Sequence, residues 1–223
     1  MNLNFERVNL RSSPYVGIFG IATDEFVLVP NSVLPKELKK IETELEVKSI
    51  KANLGGTSLL GILATGFDNK LVVSSIVEKH EIETLEKEGF EVLQIGGYTA
   101  TGNLVALNNN GGIASTLFSE KVVGELEDFF GVKFKVMNIA ESDVIGACVT
   151  VTNKGFIAHP NINENDFKEL EKVFGVKGEA TTANYGDLFV GNSVLANSKG
   201  VIVGELTSGI ELSKIDEGLR GEE

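Results

Sequence analysis

The chain has 223 residues, a net charge of −12 from 32 acidic and 20 basic side chains, and a single cysteine, Cys148. One cysteine excludes an intramolecular disulfide framework, and no apolar run approaches the roughly 18 residues of a membrane span, so we expect a cytoplasmic protein without membrane contact. Phosphate backbones repel so acidic a surface, which disfavours a protein that coats free nucleic acid.

A strand is predicted first, at residues 4–10, and five similar segments follow it. Each segment is an apolar run, a polar turn of Asp, Asn, Lys or Gly, and a second apolar run, which is the pattern of a β-hairpin. They occupy residues 16–32, 59–75, 104–119, 146–162 and 191–207. The first apolar residues after the turns are Phe26, Leu71, Ile113, Phe156 and Val201, at intervals of 45, 42, 43 and 45 residues. This regularity predicts a repeat fold.

A helix follows each hairpin, and a third strand follows the first four helices. Helical patterns cover residues 35–46, 78–88, 119–130, 163–174 and 209–217, and the third strands cover 46–53, 90–97, 132–140 and 176–184. Three helices end at a glycine before an apolar residue, at Gly89, Gly131 and Gly175, which is typical of a left-handed cap. The predicted unit is therefore ββαβ.

The fifth unit has no third strand, whereas the N-terminal strand belongs to no unit. We infer that this strand completes the fifth unit and closes five units into a ring around a pseudo-five-fold axis, with the helices outside. The sequence thus predicts an α/β fold with one domain over residues 1–223. Its parts are the strand 1–10 and approximate units 11–53, 54–97, 98–140, 141–184 and 185–223.

Nearly all of the negative charge lies in the helices. The five helical segments carry −11 of the net −12, which leaves −1 for the rest of the chain. The pattern predicts solvated acidic faces on the helices and nearly neutral connecting loops. Such loops are able to approach a ribonucleoprotein or a basic protein.

The repeat, with openings such as YVGIFGIATDEFVLVP, SLLGILATGFDNKLVVSS and GNLVALNNNGGIAS, resembles the translation initiation factor 6 family in its archaeal form. The resemblance implies a pentein β/α propeller and a non-enzymatic anti-association factor. Such a factor binds the joining face of the large ribosomal subunit, blocks the small subunit sterically, and is linked to large-subunit maturation. The implied partners are a basic ribosomal protein of that face and a nearby rRNA loop. We expect a monomer without a cofactor.

The loops that join each third strand to the next hairpin are the candidate binding surface, at residues 10–14, 53–58, 96–103, 140–144 and 184–189. Similarity to the family points to Asn53, Thr57 and Asn103. Residue type adds Arg11, Tyr98 and Tyr185, because arginine and tyrosine are common in interface hot spots. Ordinary turn chemistry is the competing interpretation of the asparagines.

Cys148 supports the main alternative, because pentein enzymes that act on guanidino groups use a cysteine nucleophile with histidine and carboxylates. It lies in the apolar run ACVTV, on a predicted hairpin strand, where a small core residue is expected. His80 and His159 are predicted as surface or packing residues, and with one cysteine they do not supply a metal site. A ring that clamps a ligand is a third interpretation, which a nearly neutral inner wall disfavours.

Overall fold

The computed structural model describes residues 4–221, so residues 1–3 and 222–223 of the predicted domain lie outside it. Its strands form five three-stranded sheets, each with a middle strand that is antiparallel to one neighbour and parallel to the other. The first four sheets consist of β2 (Ile21–Ala22), β3 (Phe26–Pro30) and β4 (Lys48–Ala52); β5 (Ala64–Phe67), β6 (Lys70–Ser74) and β7 (Glu91–Ile95); β8 (Val105–Leu107), β9 (Gly112–Ala114) and β10 (Phe134–Val136); and β11 (Val149–Val151), β12 (Phe156–Ala158) and β13 (Gly178–Ala180). The fifth consists of β14 (Val194–Ala196), β15 (Gly200–Gly204) and β1 (Asn4–Val8).

The helices within residues 4–221 are of two kinds. Five long helices connect the second strand of a unit to its third or end the chain, namely α1 (Pro35–Leu45), α3 (Lys79–Lys87), α4 (Glu120–Phe130), α6 (Glu164–Phe174) and α8 (Gly209–Arg220). Three one-turn helices, α2 (Leu60–Leu63), α5 (Ile145–Cys148) and α7 (Val190–Ser193), precede the first strand of their units. The 3₁₀ turns Val16–Ile18 and Thr101–Leu104 take that place in the other two units. The predicted ββαβ order is therefore present, with one additional helical turn at the start of each unit.

That additional turn corrects one prediction. Cys148 is the last residue of α5 and not part of a hairpin strand, because the first apolar run of each unit splits into a helical turn and a short strand. An apolar run of this length has no periodicity that separates a strand from a buried helical turn. The predicted core position of Cys148 is confirmed, since its side chain is fully buried.

Each of these helical turns contains a glycine at which adjacent units approach closely. The five glycines occupy the same position in each unit: Gly17, Gly61, Gly102, Gly146 and Gly191. A Cβ atom built on any of them would lie 2.0 or 2.1 Å from the carbonyl oxygen of the corresponding glycine in the preceding unit, and Gly17 meets Gly191 in this way. The five backbones therefore approach one another in a closed circle that only glycine permits.

The N-terminal strand pairs in parallel with β15, in a register that runs from Asn4 opposite Gly200 to Val8 opposite Gly204. β1 thus supplies the third strand of the fifth sheet. Helix α1 packs against β1, β15 and β4, so it bridges the fifth sheet and the first.

The buried apolar side chains form five clusters, and each cluster combines residues of two adjacent units. At the seam of units 1 and 2, for example, Phe26 and Phe90 meet edge to face with ring centroids 4.5 Å apart. The seam of units 5 and 1 is filled in the same way, with Leu195 and Ile202 packed beside Val8 and Val16. The core is therefore a ring of seams. No helix within residues 4–221 combines the length and apolarity needed to cross a membrane.

Candidate functional site

One face of the molecule, which we call the loop face, is formed by the segments that leave the carboxyl ends of the parallel strands. It comprises residues 9–15, 31–34, 53–59, 75–78, 96–100, 115–119, 137–144, 159–163, 181–189 and 205–208. Neighbouring segments touch: the Asn184 amide donates to the Pro14 carbonyl at 2.8 Å, and the Tyr98 hydroxyl donates to the Leu117 carbonyl at 3.2 Å. The five loops predicted as the binding surface share this face.

Four of those loops contain a tight turn whose central residues have positive φ. The pairs are Arg11 and Ser12 (54° and 62°), Gly55 and Gly56 (56° and 66°), Ala140 and Glu141 (50° and 63°), and Asn184 and Tyr185 (47° and 66°). Glycine adopts this conformation freely, whereas other residues do so at a cost of about 1–2 kcal/mol each. Three of the four turns therefore combine strained backbone with at least one exposed side chain, and such strain is concentrated at functional surfaces.

Three of the predicted residues lie together. Arg11, Asn53 and Thr57 line one open groove of about 700 Å³ on the loop face. The Arg11 guanidinium donates to the Ser58 hydroxyl, and the Thr57 hydroxyl donates to the Leu54 carbonyl at 3.2 Å. The Asn53 side-chain oxygen accepts the backbone N–H of Asn31 at 3.4 Å. Thr57 thus bonds within its own turn, whereas Asn53 connects two neighbouring loops instead of bonding within its own turn, contrary to the alternative interpretation of the asparagines.

The structure does not bring the other three into that groove. Asn103 lies in the 3₁₀ turn that follows loop 96–100, next to the central Gly102. Tyr98 is half-buried, with its ring edge to face with Phe118 at 4.7 Å, which makes it a packing residue rather than a free anchor. Tyr185 is 86% exposed at the tip of its turn.

Exposed apolar side chains are concentrated on the loop face. Nine large apolar side chains are exposed within residues 4–221. Seven lie in the loop-face segments, namely Tyr15, Leu34, Ile76, Leu117, Tyr185, Leu188 and Leu206, and Ile210 lies in the first turn of α8 directly after them. Such clustering on one side of a soluble protein is typical of a binding surface.

The five loops predicted as the binding surface are nearly neutral, with Arg11 against Glu141, Asp143 and Asp187, whereas the loop face as a whole is acidic. Its segments carry one cation, Arg11, against five carboxylates: Glu78, Glu141, Asp143, Asp187 and Glu205. At the opposite end of the units, where the hairpin turns lie, Lys70, Lys154 and Lys199 are offset by Asp24, Glu25 and Asp68. The count along the chain assigns Glu78 to a helix and adds strand lysines to the loops, so it does not show the acidity of the loop face.

A residue that the sequence reasoning missed organises the most exposed turn. The Glu211 carboxylate, 7% exposed, accepts the backbone N–H groups of Tyr185 at 3.1 Å and Gly186 at 2.8 Å. It also accepts the Ser208 N–H at 2.7 Å and the Thr182 hydroxyl at 2.8 Å. Burial would raise the pKa of Glu211, but the hydrogen bonds outweigh it and hold the pKa at about 2. The Ser208–Glu211 spacing is a readable capping box, yet nothing local indicates the contact with Tyr185.

Cys148 and His159 are neighbours, because the backbone N–H of His159 donates to the Cys148 carbonyl at 2.8 Å, but the Cys148 thiol is fully enclosed and contacts the Ile139 carbonyl at 3.9 Å. Burial raises the pKa of the enclosed Cys148 thiol, which disfavours the reactive thiolate. His80 is exposed, whereas His159 is buried with its ring edge to face with Phe189 at 5.4 Å, so both histidines are placed as predicted. Burial lowers the pKa of His159, although Asp187 opposes the shift.

The inner residues of the five units surround a cavity at the centre of the ring. The cavity there is lined by backbone, glycines, aliphatic side chains and two threonines, without a titratable residue. No cluster of three metal-binding side chains occurs in the part of the chain that the structure describes.

Comparison with known proteins gives a match over nearly the whole chain. The model of the eIF-6 family matches residues 5–218. Translation initiation factor 6 of Pyrococcus furiosus is 41% identical, over 97% of this chain and 99% of that protein. The corresponding protein of Pyrococcus horikoshii is 36% identical, with the same coverage of both chains.

Solved structures with a similar fold come from a different group. The substrate-bound N-terminal domain of ArgZ, a cyanobacterial arginine dihydrolase, superposes with a TM-score of 0.55 over 84% of this chain and 77% of that chain. Its sequence identity is 12%, so the likeness shows the fold alone, which is the pentein fold.

Proposed function

Because the chain belongs to the eIF-6 family of translation initiation factors, we propose that it binds the large ribosomal subunit at its joining face and sterically prevents association with the small subunit. In this proposal it acts as a cytoplasmic monomer without a cofactor and also takes part in large-subunit maturation. The role needs no chemistry. It needs a rigid body whose contact surface is large enough to hold the joining face, about 1,000 Å² or more in total.

The observation that carries the proposal is the concentration of exposed apolar side chains on the loop face. Such side chains supply most of the binding free energy of protein interfaces, and the ring of seams holds the ten segments that carry them on one rigid body. The loop face is therefore the surface that we propose to dock. Of the predicted interface residues, Arg11, Asn53, Thr57, Tyr98 and Tyr185 lie in the loop-face segments, while Asn103 lies in the 3₁₀ turn directly after one of them.

The charge of this face favours one type of partner on the subunit. With five carboxylates and one arginine, it is attracted to a basic ribosomal protein and repelled by exposed phosphates. Contact with rRNA is expected at the groove of Arg11, Asn53 and Thr57, where the one cation lies.

The experiment is co-sedimentation of the protein with purified large and small subunits, followed by a subunit-association assay. We expect it to pellet with the large subunit only and to reduce subunit joining in proportion to its occupancy. The pair Leu117→Asp and Leu206→Asp, placed on different parts of the loop face, should abolish both effects. Lys154→Glu at the hairpin end is the matched control and should leave both unchanged. Failure to pellet with the large subunit contradicts the proposal.

The Cys148→Ser variant distinguishes the proposed binding function from the alternative of a guanidino hydrolase. If the chain is a binding protein, Cys148→Ser retains subunit binding, and neither form releases ammonia from arginine or related guanidino compounds. Ammonia release that depends on Cys148 would overturn the non-enzymatic proposal.

A further inference from the structure

The sector of the loop face where units 5 and 1 meet carries more exposed apolar surface than the rest. Five of the nine exposed apolar side chains lie there: Tyr15, Tyr185, Leu188, Leu206 and Ile210. The hydrogen bond from Asn184 to the Pro14 carbonyl joins the two loops that carry them. We call these five side chains and their loops the apolar sector.

Tyr185 dominates this sector and is held in an unusual way. Its φ of 66° is unfavourable for an aromatic residue, and its ring makes no contact that would compensate, since the side chain is 86% exposed. The strained conformation is instead stabilised by the Glu211 carboxylate, which accepts the N–H groups of Tyr185 and Gly186. The turn is therefore fixed before any partner arrives.

Unit 2 has an equivalent carboxylate beneath a turn that contains no aromatic residue. Glu81, at the corresponding position of α3, accepts the N–H groups of Gly55 at 2.7 Å and Gly56 at 3.0 Å. That turn uses glycines, which adopt positive φ without strain. The clamp thus occurs in units 2 and 5, and unit 5 uses it to display a tyrosine where glycine would fold more easily.

We propose that the Tyr185 turn is a preformed anchor, positioned by Glu211, that inserts into an apolar cleft on a basic protein surface. The inference rests on the proposed function, because that protein surface belongs to the large subunit. A tyrosine with few rotatable bonds, fixed in advance, loses little conformational entropy on binding.

The charges around Tyr185 favour a protein over RNA as its binding partner. The carboxylates of Asp187 and Glu205 lie in the sector and accept the Ser193 hydroxyl at 2.7 Å and the Asn9 side-chain amide at 2.7 Å. The one cation of these loops, Arg11, extends instead towards unit 2, where it donates to the Ser58 hydroxyl. Phosphates would be repelled by the two carboxylates, whereas lysine and arginine side chains at the rim of an apolar cleft would be attracted.

The test compares the same substitution at two strained positions. Tyr185→Gly removes the anchor and relieves the strain, while Asp68→Gly relieves comparable strain (φ 48°) in an exposed hairpin turn outside the loop face. We expect Tyr185→Gly to weaken binding to purified large subunits roughly 10- to 100-fold, with an unchanged or raised melting temperature. Asp68→Gly should stay within about twofold of the wild type in binding.

Glu211→Gln tests the positioning role through a double-mutant cycle. It should weaken binding when Tyr185 is present and have no further effect in the Tyr185→Gly background, because its contribution to binding passes through the turn. A purely structural role would weaken binding equally in both backgrounds and would contradict the inference.

A photoreactive benzophenone amino acid at position 185 identifies the occupant. We expect cross-links to a ribosomal protein, and cross-links to rRNA would overturn the protein assignment. If the wild type binds the large subunit and Tyr185→Gly binds it equally well, the inference about Tyr185 is wrong while the proposed function stands. If the wild type binds no subunit, both fail together.

Discussion

Thr101 occupies a position that is aliphatic in the other four units, where Val16, Leu60, Ile145 and Val190 precede the central glycine. Its side chain is fully buried, and its hydroxyl has no hydrogen-bond partner among residues 4–221. A buried hydroxyl without a partner costs about 1–3 kcal/mol, and valine has nearly the same shape. The repeat therefore identifies a residue that weakens its own unit.

We expect Thr101→Val to raise the free energy of unfolding by about 1 kcal/mol, measured by urea titration. The matched control is Thr152→Val, because the buried Thr152 hydroxyl donates to the Gly155 carbonyl at 3.2 Å and accepts two N–H groups. That substitution should destabilise the protein. Equal effects of the two variants would show that hydroxyl satisfaction is not the cause.

Glu211 gives the molecule a defined acid sensitivity. Its pKa of about 2 in the folded protein lies below the ordinary 4.5, so its contribution to stability is complete above pH 4.5 and is lost as the pH falls towards 2. Glu211→Gln should therefore cost up to about 3 kcal/mol at pH 7, and the difference from the wild type should shrink below pH 4.5. Urea titrations at pH 7, 4 and 3 measure this, with Glu217→Gln, exposed on the same helix, as the control. A difference that is independent of pH would contradict the assignment.

At the scale of elements, β1 joins the start of the chain to its last unit. Its residue Val8 is buried in the seam of units 5 and 1, and its partly buried Phe5 packs into the seam of units 4 and 5. One strand thus contributes side chains to two of the five seams.

Deletion of residues 1–8 should therefore destabilise the whole molecule by more than about 3 kcal/mol, because it leaves β15 unpaired and opens two seams. Hydrogen exchange should show lost protection even in β9, on the far side of the ring. A circular permutant that moves residues 1–8 to the end of α8 through a short linker should restore stability, since the other third strands follow their helices directly. Lost protection confined to β14 and β15 would argue against this coupling.

At the scale of the whole molecule, the five central glycines set how closely the units approach. Gly146 is typical: a Cβ there would lie 2.1 Å from the Gly102 carbonyl oxygen and 3.0 Å from that of Val105. These are backbone atoms of the preceding unit, which cannot move aside as a flexible side chain can, so a single methyl group has to spread the two units.

We expect Gly146→Ala to lower the melting temperature by roughly 6–12 °C, which corresponds to about 3 kcal/mol in a chain of this size. Gly124→Ala is the matched control, because it lies within α4 with nothing in the space of the added methyl group. That change should stabilise the helix by about 0.5–1 kcal/mol. A mild effect at Gly146 would mean that the centre of the ring is loosely packed.

The sequence alone predicted the order of elements, the helix positions to within a few residues and the pairing of β1 with the fifth unit. These follow from the local periodicity of apolar residues and from the repeat interval of about 44 residues, and both are visible in the amino-acid sequence. It also predicted the loops of the candidate surface, because they occupy equivalent positions in each repeat.

Only the tertiary structure decided which side chains those loops expose and what supports them. The glycine circle, the acidity of the loop face and the clamp of Glu211 on Tyr185, 26 residues away, arise from contacts between elements. Tyr98 and Tyr185 show the limit most clearly, since the same residue type in equivalent loops is packed in one and 86% exposed in the other. Local sequence fixes what each unit can form, whereas burial, charge distribution and backbone strain depend on which units become neighbours.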